Sequence, residues 1–223
     1  MLILGIDTSG RNGSVCLAQT GSSFEVLENV PLSGGTYSAQ LIPALMSMLQ
    51  KHGRKKSDLK AYAVASGPGS FTGLRVGLSA VKGLAEILPG PIASVSVLEA
   101  LAAASHEDGR VITVLDAARK EVYVGEYDVT GGKAAMVRES LMTQTDFAHL
   151  LEHNSSAQLI TPDADLAELA RFHMRVMQVE RPQAGEYACL GWLKIQEGQV
   201  VGPDLLEANY IRRSDAEIFA KKD

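Results

Sequence analysis

Apolar and polar residues alternate in three short runs at the start of the chain. "LILGID", "GSVCLAQ" and "SFEVLENV" each carry the period of two expected of a strand, and "TSGRNG" and "TGS" between them are rich in turn formers. An antiparallel meander is predicted. Over residues 38–52 the apolar spacing changes to three and four, which predicts a helix, with Pro43 expected in or near the first turn, where its missing N–H costs nothing. A strand over 61–66, a glycine-rich loop, a helix running to residue 88, a short strand "IASVS" and a helix "VLEALAAAS" follow. After "HEDGR" the pattern restarts. "VITVLDA", "EVYVGEYDV" and "AAMVRESL" read as strands, and helices near 143–153, 163–172 and 185–196 interleave with the strands "AQLIT" and "MRVMQV". Strands alternating with helices predict an α/β protein with mixed sheets under helical cover. The restart predicts two similar halves, residues 1–106 and 107–223, hinged near 106–110, with about the last 35 residues free to pack back on the first half. The polar end, "SDAEIFAKKD", reads as loose.

With 223 residues, 46% of them hydrophobic and 21% charged, the chain is long enough for two cores and reads as a soluble protein. No apolar run approaches the roughly 18 residues that a bilayer demands, and "MLILGIDTSG" lacks the basic start of a leader, so the expected address is the cytoplasm. Cys16 and Cys189 are too few for a disulfide framework or a four-cysteine zinc site. A net charge of −5 argues against a protein that holds nucleic acid by itself. The local exception is "KHGRKKSDLK", where Lys51, Arg54, Lys55, Lys56 and Lys60 crowd together, either as a solvated loop or as an RNA contact.

The stretch "ASGPGSFTGLRVGLSAVKGLAEIL" raises the question of a phosphate cradle, because backbone N–H groups at a helix start attract anions. A Walker loop needs Gly-Lys-Ser/Thr, but Gly73 is followed by Leu74 and Arg75. A dinucleotide fingerprint fits Gly67, Gly69 and Gly73 with one extra residue, yet the next strand ends in "SVS", without the acid that would hold a ribose. The helix itself points elsewhere. Leu74, Gly77, Leu78, Val81, Leu84, Ala85 and Leu88 make one apolar row and Val76, Ala80, Gly83 and Ile87 a second, so the helix needs cover on two sides. The helix over 38–52 has a similar excess in Leu41, Ile42, Leu45, Met46, Met48 and Leu49. Either the two helices cover each other and the sheet, or they form an interface between chains. The interface residues expected are Leu41, Leu45, Met48 and Leu49 with Gly73, Val76, Gly77, Ala80, Gly83 and Ile87, the small ones permitting close helix approach.

Other candidate chemistry is thinner. "HLLEH", His149 to His153, has the spacing of two zinc ligands one helical turn apart, but it also makes the polar side of an amphipathic helix whose apolar side is Phe147, Leu150 and Leu151. Ser70 has no histidine near it in sequence, and there is no nucleophile elbow. Asp7 and Asp116 each end an apolar strand, where a carboxylate either meets a metal-bound phosphate or caps a turn, and the pattern favours capping.

"ILGIDTS", "ASGPGSFTGLRVGLSAVKGLA", "LDAARKEVY" and "NYIRRS", in that order over most of the chain, resemble the bacterial TsaB family, also called YeaZ. The resemblance implies two ribonuclease H-like halves of the actin and sugar-kinase superfamily. It implies a non-catalytic partner of the TsaD enzyme in making threonylcarbamoyladenosine at position 37 of tRNA, with a TsaE-like ATPase acting on the complex, tRNA reached through the complex, and self-pairing when alone. No cofactor and no metal are expected. In the related catalytic subunit the strand after the glycine-loop helix leads into histidines that hold a metal, whereas "SVSVLEALAAA" puts Val97 and Leu101 at the matching positions. The superfamily's second phosphate loop has glycines after its aspartate, where this chain has Asp116, Ala117, Ala118 and Arg119. Asp7, Thr8 and Ser9 keep something of the first phosphate motif and are the candidates for a weak nucleotide contact. Two positions depart from the family pattern: Tyr37 stands for a histidine, and "DAARKE" lacks the glycine of its motif. The competing readings are a metal-dependent peptidase and an ATP-dependent phosphotransferase.

Overall fold

In the computed structural model, which describes residues 1–21 and 23–211, the chain divides into two compact units. The first comprises residues 1–97 and 182–208; the second comprises 98–181 with 209–211. The tail "SDAEIFAKKD" and the Arg-Arg-Ser of "NYIRRS" lie outside the described residues.

The first unit is built on β1 (Leu2–Asp7), β2 (Asn12–Thr20), β3 (Phe24–Ser33), β4 (Leu59–Gly67) and β5 (Ile92–Ser96), in the sheet order β3-β2-β1-β4-β5. The first three strands pair antiparallel, and β4 and β5 join parallel to β1. All of β1 is buried, because both faces of the sheet are covered. Leu2, Leu4 and Ile6 meet α1 (Tyr37–Lys51) and α2 (Phe71–Ile87) on one face. Ile3, with Cys16, Ala18, Ala61 and Ala63, meets α6 (Ala184–Gln196) on the other. That second layer is thin: a Cβ on Gly5 would lie 2.3 Å from the Ala184 carbonyl oxygen, so only glycine lets the helix settle there. The Ala184 N–H is taken by Ser14 Oγ at 2.7 Å. Val201 bridges Ile92 and covers the β5 edge.

Pro43 does not fall in the first turn. It is the seventh residue of α1, and the Ala39 carbonyl loses its helical donor there. Ala39 and Pro43 are both exposed, so water takes that role on the outer side of the helix.

The second unit repeats the plan with β6 (Gly109–Asp116), β7 (Glu121–Thr130), β8 (Lys133–Thr143), β9 (Gln158–Thr161) and β10 (Arg175–Gln178), ordered β10-β9-β6-β7-β8. Again three antiparallel strands are followed by two parallel ones. Ile112, Val114, Val122 and Val124 pack against Phe147 and Leu151 of α4 (Gln144–His153) and Leu166 and Ala170 of α5 (Ala164–Ala170). Thr143 caps α4, accepting the Asp146 N–H at 3.1 Å. The short α3 (Val97–Ala102) starts where the two units divide.

Candidate functional site

The glycine loop between β4 and α2 is closed onto the end of β1. Ser70 caps α2 by accepting the Gly73 N–H at 3.2 Å, and its own N–H donates to the Ser9 carbonyl at 2.7 Å. Two of the donors that a phosphate would need are therefore committed within the chain. A Cβ on Gly69 would lie 2.2 Å from the Ser9 oxygen, and one on Gly73 2.1 Å from the Thr8 oxygen. The glycines serve this approach of loop and helix to β1. Asp7, Thr8 and Ser9 consequently lie inside the protein at 0–2% exposure, with the Ser9 N–H donating to Asp7 Oδ1 at 2.8 Å. The hydroxyls of Thr8 and Ser9 have no hydrogen-bond partner among the described residues. The three candidates for a nucleotide contact are thus enclosed by the loop in this conformation.

Asp116 closes its strand as Asp7 does, accepting the Ala118 N–H at 3.0 Å. Both aspartates are turn caps of the same i to i+2 kind. The turn that follows in the second unit, where the family motif has its glycine, holds Ala118, Arg119 and Lys120 at φ of 58°, 54° and 61°. This left-handed run costs each residue about 1 kcal/mol relative to glycine.

A surface groove of about 560 Å³ runs between α1 and α2. Ser38, Leu41 and Ile42 line one wall, and Phe71, Thr72, Arg75, Val76, Ser79 and Ala80 the other. The Arg75 guanidinium carbon sits 3.7 Å from the Phe71 ring centre, which braces the aromatic at the mouth. Ile42, Met46 and Phe71 are 44%, 38% and 38% exposed, and Ile87 at the far end of α2 is 79% exposed. This places a nearly continuous apolar face on the surface of one unit.

The ten residues expected at an interface divide sharply. Leu41, Leu45, Met48 and Leu49 are 1–2% exposed and belong to the core of their own unit, although Leu41 also lines the floor of the groove. Apolar residues cover so much of the α1 circumference that spacing could not tell which side met the sheet. Ile42 and Met46, the two left out of the expected set, are the ones that face outward. Gly73 and Gly77 are also inward, where a Cβ on Gly77 would lie 2.4 Å from Thr8 Oγ1. Val76, Ala80, Gly83 and Ile87 keep the outer row, and nothing lies within 4 Å of a Cβ on Gly83. Phe71 and Arg75 were missed; their i, i+4 spacing at the start of α2 was the available signal.

The remaining candidates are peripheral. Phe147 and Leu151 are buried, while His149 and Glu152 are mostly exposed and 3.5 Å apart. Among the described residues, no three His, Cys, Asp or Glu side chains are grouped so as to share a metal ion. Val97 and Leu101 are fully buried. Burial, with a smaller contribution from the Glu186 charge, pushes the Cys16 thiol up to about 12, so it is inert as a nucleophile at neutral pH. Among the described residues no helix is long and apolar enough to cross a membrane.

Comparison with known proteins follows the same lines. The family model described as TsaD: tRNA N6-adenosine threonylcarbamoyltransferase matches residues 30–180. The tRNA threonylcarbamoyladenosine biosynthesis protein TsaB of Bacillus subtilis (strain 168) is 38% identical over 133 residues, which are 59% of this chain and 57% of that protein. The match thus spans little more than half the length of that relative. The protein of the same name from Escherichia coli (strain K12) is 29% identical over 97% of this chain and 96% of its own. Among solved structures, YeaZ from Pseudomonas aeruginosa superposes with a TM-score of 0.75 at 23% identity, covering 94% of this chain and 99% of that one. Another structure, described as an uncharacterized protein with similarity to peptidase YEAZ from Pseudomonas aeruginosa, gives 0.77 at 23%, over 95% and 99%. Likeness at this level shows the fold: two halves, each a five-stranded mixed sheet with helical cover.

Proposed function

The chain belongs to the family that the TsaD model describes and is of its TsaB (YeaZ) kind, and from that premise we propose that it is a non-catalytic partner of a TsaD-type threonylcarbamoyltransferase. Its role lies in forming threonylcarbamoyladenosine at position 37 of tRNA. The observation that carries this reading is the groove between α1 and α2 with its outer apolar row. Burying a large apolar side chain completely contributes about 1.5–3 kcal/mol. Ile42, Met46, Phe71 and Ile87 are already partly covered, so together they supply an amount comparable to the low end of the 4–15 kcal/mol or more that association costs. Such a face supports an exchangeable pairing. It holds the catalytic homologue in the complex and a second copy of this chain when that homologue is absent, while a TsaE-like ATPase joins the assembled pair.

The closed loop and the apolar residues at 97 and 101 support the non-catalytic half of the reading, since Ser70 is engaged within the chain and valine and leucine cannot hold a metal. Chemistry belongs to the partner, and this chain contributes position and stability. The test is Ala80→Arg and, separately, Gly83→Arg, both on the outer row. Pairing of the full chain with a TsaD-like subunit, followed by titration calorimetry, is expected to weaken at least a hundredfold with no loss in the unfolding midpoint, and reconstituted tRNA modification is expected to fall in parallel. Undiminished pairing would remove the face from the interface. Equal modification in the absence of the chain would remove the role itself.

A further inference from the structure

The basic stretch over residues 51–60 has no part in the reading above, and its cations are not equally neutralised. Lys51 Nζ donates to Glu28 Oε1 at 2.7 Å, and His52 lies 3.0 Å from the other oxygen. The Lys51 hydrogen bond, helped by His52, holds the Glu28 carboxyl below its usual range although desolvation opposes it. Arg54 donates to Gln19 Oε1 at 2.5 Å, a neutral partner that leaves its charge uncompensated. Lys55, Lys56 and Lys60 are exposed and form no ion pair among the described residues. Asp58, the one carboxylate in the stretch, accepts the Lys55 backbone N–H at 2.8 Å. A chain of net charge −5 thus gathers three cations without an ion-pair partner among the described residues on the turn after α1, and a fourth, Lys60, at the start of β4.

The placement of this turn matters as much as its charge. Arg54, Lys55 and Lys56 rim a hollow of about 550 Å³ whose other wall is α1, through Pro43, Met46 and Gln50. Ile42, the residue before Pro43, lines the α1–α2 groove, so the basic rim continues the apolar face along the same helix. No aromatic residue stands among the cations, so stacking on bases has no platform here. Three of the four are lysines, compact point charges that suit phosphate, whereas bidentate capture of a carboxylate favours arginine.

We propose that Arg54, Lys55, Lys56 and Lys60 bind the phosphate backbone of RNA. The identity of that RNA as the tRNA presented to the catalytic partner rests on the function proposed above. The test compares the wild-type chain with the triple variant Lys55→Gln, Lys56→Gln, Lys60→Gln, and with Lys56→Gln alone. Binding to an unmodified tRNA transcript is read by fluorescence anisotropy over a salt series, for the full chain alone and with a TsaD-like subunit. In the triple variant, affinity is expected to fall tenfold to a hundredfold at about 0.1 M salt, and the slope of log K against log salt to shrink by about 2–3. The single variant should lose about 0.7–0.9 of that slope. Pairing with the TsaD-like subunit should not change. Unchanged tRNA affinity and slope in both settings would overturn the proposal. So would a loss of subunit pairing in its place, because the cations would then be gripping an acidic protein segment. A wild-type chain that fails to pair would sink the function proposed above, and the RNA contact would then stand or fall on the slope measured for the chain alone.

Discussion

The two units share a sheet order and differ in the helices laid on it. In the first, α1 and α2 have 15 and 17 residues; in the second, α4 and α5, at the same places between strands, have 10 and 7. The inner rows are alike, with Leu41, Leu45 and Leu74 on one sheet matching Phe147, Leu151 and Leu166 on the other. The outer rows are not. The outward side of α4 carries His149, Glu152 and His153, and α5 exposes Leu169 with Phe172 just past its end, while α1 and α2 together expose Ile42, Met46, Phe71 and Ile87. The parallel strands of the second unit, β9 and β10, have 4 residues each against 9 and 5 for β4 and β5, and about two or three turns of helix cover them. The longer helices of the first unit bury residues along their whole length, from Tyr37 to Leu49 and from Gly73 to Ala85, and carry beside that inner row a second, outward apolar row that is left in water.

Five substitutions test that division, in order of expected effect. Leu45→Ala and Leu151→Ala remove an inward leucine from each unit and should each cost about 2–5 kcal/mol in denaturant unfolding, whereas Met46→Ala on the outer side should stay within about 0.5 kcal/mol. A comparable loss at Met46 would mean that the outer row is structural after all. Gly73→Ala forces a Cβ against the Thr8 carbonyl and should cost about 1–3 kcal/mol, seen as a lower unfolding midpoint with an unchanged slope. A neutral result would show that α2 can slide on β1 and that its glycine is not needed for the approach. Gly83→Ala, by contrast, points a methyl into open space inside a helix and should stabilise by about 0.5–1 kcal/mol. Stabilisation accompanied by weaker pairing would mark Gly83 as a contact point of the partner.

Much of this arrangement is legible in the amino-acid pattern. The order of strands and helices follows from the switch between periods of two and of three to four, and the two rows of α2 are separated by its polar residues Arg75, Ser79, Lys82 and Glu86. What periodicity lacks is phase. On α1 the apolar residues nearly encircle the helix, and the choice between Leu45 and Met46 as the inward one depends on strands that pair far away in sequence. The glycines of the loop pose the same problem. Gly73 and Gly83 look equivalent in the sequence, and only the position of Thr8 separates a glycine that is required from one that is not. Pro43 misled for a different reason, because a proline whose lost hydrogen bond faces water can be tolerated well inside a helix.

The return of residues 182–208 to the first unit bears on how this protein is made. Contacts between α6 and β1, β2 and β4 join segments more than a hundred residues apart, so the first sheet emerges from the ribosome with one apolar face bare and stays so until α6 has been synthesised. The second unit is encoded nearly without interruption and can close earlier. During that interval Ile3, Ala61 and Ala63 are the surface most in need of a chaperone, and a premature stop before Ala184 leaves them uncovered for good.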